Sequence, residues 1–234
     1  EAGGIDDYDV SDADGTVVYL INNQLYRINP DGSGRALLVD GGPVDENSDD
    51  YRYETKLDTP RWSPDGARIA FYRGGLNIYN VGDGSIQQVL QNQIDVLDNG
   101  YTLPQAIYFV GDWSPDGQYL MLNVGWYEGG TVGIYHVANG VFTAADYAGI
   151  FCCYQFWTPD SRAVLVASDA IGMIDSGLWR LDAATGVVQT LLESQADDGS
   201  YNFAGGPNQM PNGDLRYFYH NNPNIIEGYT SLQL

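Results

Sequence analysis

The sequence predicts an all-β fold made of repeated units of four short antiparallel strands. Three observations lead to this prediction: a composition rich in turn and strand formers, a short turn motif that recurs along the chain, and no helical pattern sustained over about 11 residues. Among 234 residues, glycine occurs 29 times and tyrosine 18 times. Asp supplies 25 of the 31 acidic residues, and Asp favours turns whereas Glu favours helices. The composition therefore indicates many short strands joined by tight turns.

The recurring motif is a turn of the form Trp-Ser-Pro-Asp-Gly. Proline presets the backbone of such a turn, and Asp-Gly supplies a side-chain hydrogen bond and a residue that tolerates positive φ. The copies lie at residues 61–66, 112–117 and 156–161, with two weaker copies at 10–15 and 209–213. Because Trp62, Trp113 and Trp157 precede the turn in the same way, we expect them to occupy equivalent buried positions.

Two apolar segments follow each turn and predict a pair of strands. The first segment occurs at residues 17–20, 69–71, 119–122, 164–166 and 215–218. The second, with the pattern aliphatic-aromatic-variable-aliphatic, occurs at 25–28, 78–81, 134–137 and 178–181, and more weakly at 231–234. In the first four copies a turn and a short fourth strand come next, for example at 36–39 and 188–192.

Each unit has two apolar faces, so one unit cannot bury itself and neighbouring units must stack. This requirement predicts a β-propeller of four-stranded antiparallel blades, either with five blades or as part of a ring of six or more. We expect a single domain over residues 1–234 with repeats at about 6–40, 60–90, 108–146, 153–192 and 206–234.

The fifth repeat reaches only its third strand at Leu234. Sheets normally pair or cover such an edge, so we expect strand pairing to complete this blade. The added strand would come from residues 1–5 or from a partner chain by β-augmentation, unless the chain is part of a longer propeller.

The turn motif, with the Ile-Ala-Phe strand at 69–71 and the Ile-Tyr strand at 78–81 that follow it, resembles the TolB-like β-propeller repeat. The resemblance covers nearly the whole chain in five copies. It implies a propeller that is exported and serves as a platform for protein interactions. Propellers of this family also accompany serine peptidase domains, but this chain carries no such catalytic domain.

Charge excludes two classes of partner. Lys and Arg total 10 against 31 Asp and Glu, which gives a formal net charge of −21. Binding to nucleic acid or to anionic lipid needs basic side chains, so neither is expected. No apolar run approaches the roughly 20 residues of a membrane span, and the first residues, Glu-Ala-Gly-Gly, do not resemble a signal peptide. If the protein is exported, we expect this chain to be its mature form, located in the periplasm, at the cell surface or outside the cell.

Motifs that would indicate catalysis are absent from the sequence. There is no Gly-x-Ser-x-Gly, His-Glu-x-x-His or phosphate-binding loop. The two histidines are His136, inside a predicted strand, and His220, in a predicted polar loop beside Asn221 and Asn222. We therefore predict no catalytic residues. The alternative is a propeller enzyme, a glycosidase or lactonase-like hydrolase, with carboxylates or calcium in its central channel.

The segment 45–50 concentrates oxygen ligands and suggests structural calcium. Asp45, Asp49 and Asp50 are the predicted ligands, and the alternative is an acidic loop in water. The adjacent Cys152 and Cys153 are either two thiols, one on each side of a strand, or a vicinal disulfide.

Three long connections, residues 41–59, 91–107 and 193–207, join the last strand of one repeat to the first strand of the next, so they should gather on one face. The loop containing residues 126 and 127 should reach the same face. Exposed Tyr and Trp give a large contact area at low entropic cost. The predicted partner-binding residues are Tyr51, Tyr53, Tyr101, Trp126, Tyr127 and Tyr201. The alternative is that these side chains cap the propeller core. We predict a non-enzymatic interaction or assembly module for a protein, peptide or glycan.

Overall fold

The computed structural model describes residues 4–49, 51–98, 100–127, 129–147, 154–168, 176–194 and 200–220, and the backbone of residues 221 and 228–233. The described residues form antiparallel sheets and one short π-helical turn, Tyr51–Thr55. The repeated four-stranded meander is the blade of a β-propeller, and this confirms the predicted fold class. The chain divides into two compact units, residues 1–128 with 137–140 and residues 129–136 with 141–234.

The first unit holds two complete blades and three strands of a third sheet. The first blade has the order β1-β2-β3-β4: β1 Asp7–Val10, β2 Val17–Ile21, β3 Gln24–Ile28 and β4 Ala36–Asp40. The second has the order β5-β6-β7-β8: β5 Asp58–Trp62, β6 Arg68–Tyr72, β7 Gly75–Asn80 and β8 Ile86–Gln91. The third set comprises β9 Gln93–Val96, β10 Thr102–Trp113 and β11 Tyr119–Trp126. Within this set, β10 pairs with both β9 and β11.

The second unit begins with a hairpin of β12 Gly129–His136 and β13 Val141–Ala144. A four-stranded blade follows in the order β14-β15-β16-β17: β14 Tyr154–Trp157, β15 Ala163–Ser168, β16 Gly177–Asp182 and β17 Val188–Leu192. The last sheet has the order β18-β19-β20: β18 Asn202–Gln209, β19 Asp214–Asn221 and β20 Gly228–Gln233. Within the described residues this sheet has three strands, so completion of the fifth blade stays a prediction.

Apolar side chains from adjacent blades form the core of each unit. In the first unit, Val18 and Leu20 pack with Ile69 and Phe71 of the second blade. In the second unit, residues of β15, β16, β18 and β19 make the equivalent layer, with Leu165 and Leu215 fully buried. Burial of these faces is the main stabilising term of the fold, because each blade alone would leave them in water.

The repeated turn is held by a buried hydroxyl group. The Oγ of Ser63 donates to Asp65 Oδ1 at 2.5 Å and accepts the backbone N–H of Arg68 at 2.9 Å. Ser114 and Thr158 make the same two contacts in the next two copies. The motif is therefore a hydrogen-bonded unit that closes the hairpin between the first and second strands of a blade.

The tryptophan prediction is confirmed at two of three positions. Trp62 and Trp113 are buried, whereas Trp157 is half-buried. Trp157 belongs to β14, the edge strand of its sheet, and Tyr154 and Phe156 of the same strand are exposed. Trp62 also lies in an edge strand, β5, but it packs into the apolar cluster formed by the first two blades, so its burial comes from that neighbouring blade and not from its place in the sheet.

Two of the predicted connections are shorter than expected. Residues 93–96 and 102–107, predicted as connection, belong to β9 and β10, and residues 202–207 belong to β18. The 12-residue strand β10 continues past its blade and pairs with β9 in a hairpin. This hairpin provides backbone hydrogen-bond partners for a segment that would otherwise lack them.

Candidate functional site

The connection from residue 41 to residue 57 is fixed to the first blade by one side chain. Asn23 lies in the turn between β2 and β3 with a positive φ of 58°. Its Nδ2 donates to the backbone oxygens of Gly42 and Thr55, both at 3.3 Å. Its Oδ1 accepts the N–H of Leu57 at 2.7 Å. One asparagine therefore holds both ends of this connection.

The π-helical turn of the same connection rests on a buried polar cluster. Asn92 Nδ2 donates to the oxygen of Tyr53 at 2.8 Å and to Tyr72 Oη at 2.9 Å. Asn92 Oδ1 accepts the N–H of Tyr108 at 3.1 Å. Burial raises the pKa of Tyr72 to about 12. The cluster joins the connection, the second blade and β10.

The hairpin of β9 and β10 projects apolar side chains into solvent. Gly100 has a φ of 81° and donates its N–H to the oxygen of Leu97, and Leu97 N–H donates to the oxygen of Tyr101 at 2.9 Å. This is a three-residue hairpin loop with glycine at the left-handed position. Val96 is 74% exposed, Tyr101 is 72% exposed and Leu97 is also exposed.

Two further aromatic residues lie beside this hairpin. Trp126 ends β11, and the backbone N–H of Tyr127 donates to the oxygen of Pro104 in β10 at 3.1 Å. Both side chains are exposed, Tyr127 at 64%. We define the hairpin surface as the five residues Val96, Leu97, Tyr101, Trp126 and Tyr127.

Acidic residues border the hairpin surface. Asp95 and Asp98 are exposed on the hairpin itself. Asp49 Oδ2 accepts a hydrogen bond from Thr102 Oγ1 at 2.6 Å, which brings the connection beside β10. Arg52 Nη1 lies 3.9 Å from Asp49 Oδ1 and adds one positive charge. The surroundings of the apolar residues are therefore mainly negative.

The six residues predicted to bind a partner belong to several segments of the fold. Tyr101, Trp126 and Tyr127 belong to the hairpin surface. Tyr51 and Tyr53 are half-buried in the π-helical turn, and burial raises the pKa of Tyr51. Tyr201 is exposed in the second unit, just before β18.

Val96 and Leu97 are the residues that the sequence analysis did not identify. A signal for them exists, because Gln-Ile-Asp-Val at 93–96 alternates polar and apolar residues and Asp-Asn-Gly at 98–100 is a hairpin turn sequence. On the other side of the turn the signal is weaker, because a proline at 104 is unfavourable within a strand. In the structure, Pro104 occupies a position whose missing N–H is not needed for pairing with β9.

Two of the three predicted calcium ligands are described, and neither is grouped with other ligands. Asp45 Oδ1 accepts the backbone N–H of Asn47 at 3.2 Å, and Asp49 contacts Thr102 and Arg52. Asp50 lies outside the described residues. Over the described ranges, no three His, Cys, Asp or Glu side chains are arranged to hold a metal ion. The calcium site stays a prediction.

The two histidines lie in strands of the second unit. His136 ends β12. His220 was predicted in a loop but lies in β19, where its pairing with Phe203 of β18 extends the strand and their rings stack with 4.6 Å between centroids. Cys152 and Cys153 lie outside the described residues, so neither cysteine prediction is tested.

Three aspartates on the first strands of the blades surround one arginine. Arg61 Nη1 lies 3.3 Å from Asp7 Oδ2, and Arg61 Nε lies 3.5 Å from Asp112 Oδ1. Asp9 Oδ2 accepts the backbone N–H of Trp62 at 2.6 Å, and burial raises the pKa of Asp9. These carboxylates are engaged in holding adjacent blades of the first unit together. Their geometry is explained without a substrate.

The described part of the chain contains no helix with the length and apolar character needed to cross a membrane.

Comparisons with protein-family models and with curated proteins find no match. Among solved structures, the chain is similar to putative TolB from Agrobacterium tumefaciens, with 16% identity, coverage of 99% of this chain and 78% of that one, and a TM-score of 0.57. It is similar to an oligogalacturonate lyase in complex with manganese, with 11% identity, coverage of 100% and 70%, and a TM-score of 0.59. An uncharacterized protein from Listeria monocytogenes EGD-e matches with 11% identity, coverage of 100% and 67%, and a TM-score of 0.51. At these identities the likeness concerns the fold alone, and it supports a TolB-like propeller fold for this chain.

Proposed function

We propose that this chain is a non-enzymatic protein-interaction module that binds its partner through the hairpin surface. The observation that carries the proposal is the concentration of exposed aliphatic and aromatic side chains at the end of one hairpin. Val96, Tyr101 and Tyr127 expose more than half of their surface in a chain of net charge −21. Tyr and Trp at such positions contribute a large contact area when a partner covers them.

The fold is compatible with a second class of function, because the solved structures similar to this chain include a lyase. An enzyme of the glycosidase or lactonase type would use carboxylates on the first strands of the blades. Asp7 and Asp112 both lie there, but each is paired with Arg61. The interaction module is therefore the better-supported function.

A photo-crosslinking experiment tests the proposal. A photoreactive phenylalanine derivative is placed at Tyr101 or Tyr127 in the protein produced in its source cells, and at Ile86 as the control. Ile86 is an exposed apolar residue of the same unit, on the outer strand β8. We expect a discrete crosslinked product from positions 101 and 127 and none from position 86. The same products from all three positions, or none from any, would contradict the proposal.

The proposed location is outside the cytosol, in the periplasm, at the cell surface or in the medium. The support is the resemblance of the repeats to the TolB-like family. Fractionation of the source cells, followed by detection of the protein in each fraction, tests this location. Recovery of the protein only with cytosolic markers would contradict it.

A further inference from the structure

The outer edge of β9 carries backbone groups that are available for pairing. The strand pairs with β10 in the register Val96 with Thr102, Asp95 with Leu103 and Ile94 with Pro104. It is the last strand in its sheet. No described residue pairs with its other side, and such an edge is a template for another strand.

The direction of each backbone group follows from two hydrogen bonds. Leu97 N–H donates to the oxygen of Tyr101, so the backbone N–H and C=O groups of residue 97 point toward β10. The directions of these backbone groups alternate along a strand of an antiparallel pair. Those of Asp95 therefore also point toward β10, and those of Ile94 and Val96 point away from it. The oxygen of Pro104, opposite Ile94, accepts the N–H of Tyr127 on the β11 side, which independently confirms this alternation. The N–H and C=O groups of Ile94 and Val96 therefore lie on the open edge.

The side chains along this edge set the chemistry of a pairing strand. Val96 and Asp95 point to opposite faces of the sheet, and both are exposed. A strand added beside β9 would place one apolar side chain next to Val96 and one side chain next to Asp95. Opposite charges in such cross-strand positions are favourable and like charges are unfavourable. Asp98 and Asp49 add negative charge nearby.

From this arrangement we infer that an extended peptide segment with alternating aliphatic and basic residues binds by adding a strand to β9. The inference rests on the proposed function, because it names the partner chemistry and the binding mode of the hairpin surface. Main-chain hydrogen bonds to Ile94 and Val96 supply affinity, and contacts with Val96, Asp95 and Tyr101 supply selectivity. A second copy of this chain is disfavoured as the occupant, since it would bring together two chains of net charge −21, and the pairing centred on residue 95 would place the two Asp95 side chains opposite each other.

The test starts from a library of random 12-residue peptides displayed on phage and selected on the full chain. Affinities of the selected peptides, made synthetically, are then measured for the wild type and for variants. We expect sequences that alternate aliphatic residues with Lys or Arg. Val96→Pro removes an N–H from the open edge without removing a bond to β10, so it should weaken binding at least about tenfold with an unchanged Tm. Val96→Thr keeps that N–H and is the matched control, with a loss of at most about threefold.

Amide exchange measured by NMR gives a readout that does not depend on any variant. On peptide binding, the amides of Ile94 and Val96 should exchange at least about tenfold more slowly, because they become hydrogen-bonded. Asp95→Asn should weaken the binding of the basic peptides about threefold and make it less sensitive to salt.

The outcomes separate the inference from the proposed function. One outcome is that the peptides bind the double variant Tyr101→Ser/Tyr127→Ser more weakly, but bind Val96→Pro as well as the wild type and do not slow amide exchange at Ile94 and Val96. This outcome would overturn strand addition and leave the hairpin surface as the binding site. Selection of no sequence over the Tyr101→Ser/Tyr127→Ser variant would overturn both. A dimer that forms with rising protein concentration and protects the same two amides would overturn the peptide as the occupant.

Discussion

The indole N–H of Trp113 donates to the backbone oxygen of Arg61 at 3.0 Å. This hydrogen bond joins β10 to β5, and it lies beside the repeated turn that follows each of these strands. The guanidinium of Arg68 lies over the Trp113 ring, 4.9 Å from its centroid. Trp62, at the same place one repeat earlier, is buried, and its indole N–H has no hydrogen-bond partner among the described residues.

This difference predicts unequal effects of the same substitution. Trp113→Phe removes a buried hydrogen bond and leaves the Arg61 oxygen without its partner, which should lower the free energy of unfolding by about 1–2 kcal/mol more than Trp62→Phe does. Both variants lose a similar apolar area, so Trp62→Phe is the matched control. Urea unfolding followed by fluorescence measures both. Equal losses would show that the bond to Arg61 contributes nothing to stability.

The net charge of −21 predicts that stability depends on salt. Self-repulsion of the acidic surface should lower the Tm at low ionic strength, and sodium chloride should raise it by screening. The predicted calcium site entails a further rise in millimolar calcium at equal ionic strength, which Asp45→Asn should remove. Equal melting in matched sodium and calcium solutions would contradict the site and leave screening as the only effect.

Sequence patterns were sufficient for the blades because each blade is specified locally. The hydroxyl of Ser63 and the carboxylate of Asp65 are two residues apart, and the strands that they join are adjacent in the chain. The apolar runs that follow each turn then identify the buried strands without knowledge of the neighbouring blades. The fold class could therefore be predicted from one repeat and its copies.

The candidate site could be predicted only in part, because it depends on contacts between distant residues. Tyr53 is held by Asn92, which is 39 residues later, so its half-buried state cannot be inferred from the connection itself. Tyr101 was identified because it lies in a long connection between two repeats. Val96 was missed because its exposure depends on the register between β9 and β10. That register is hard to predict from the sequence, since the proline in β10 is unfavourable within a strand.

Two aspartates should respond to pH in opposite directions. Hydrogen bonds from Ser63 and from the backbone N–H of Ala67 lower the pKa of Asp65, whereas burial raises the pKa of Asp9. The Asp65 carboxylate therefore stabilises the fold above its ordinary pKa, and this contribution is lost as the pH falls through the lowered value. Ionisation of Asp9 destabilises the fold as the pH rises through its raised value.

Asn substitutions at these two positions make the contrast measurable. The free energy of unfolding of Asp65→Asn should fall further below that of the wild type as the pH rises from 3 to 7, and the difference should reach about 1 kcal/mol at pH 7. The free energy of unfolding of Asp9→Asn should rise relative to that of the wild type over the same pH range. Denaturant unfolding at three or four pH values gives both differences, each variant serving as the control for the other. Differences that move in the same direction would contradict the assigned environments.

The buried tyrosine beneath the π-helical turn provides a test at alkaline pH. Tyr72 has a pKa raised by burial to about 12, against an ordinary value near 10. Its neutral form therefore contributes stability that is fully present below pH 10 and is lost as the pH rises toward 12. Tyr72→Phe removes the hydroxyl that bonds Asn92 and should cost about 1–2 kcal/mol at pH 8. The phenylalanine variant cannot ionise at this position, so its deficit relative to the wild type should shrink between pH 10 and pH 12. Tyr79→Phe is the control, as a half-buried tyrosine of the same blade. A constant deficit for Tyr72→Phe across this range would show that the Tyr72 hydroxyl ionises at its ordinary pKa in the folded protein.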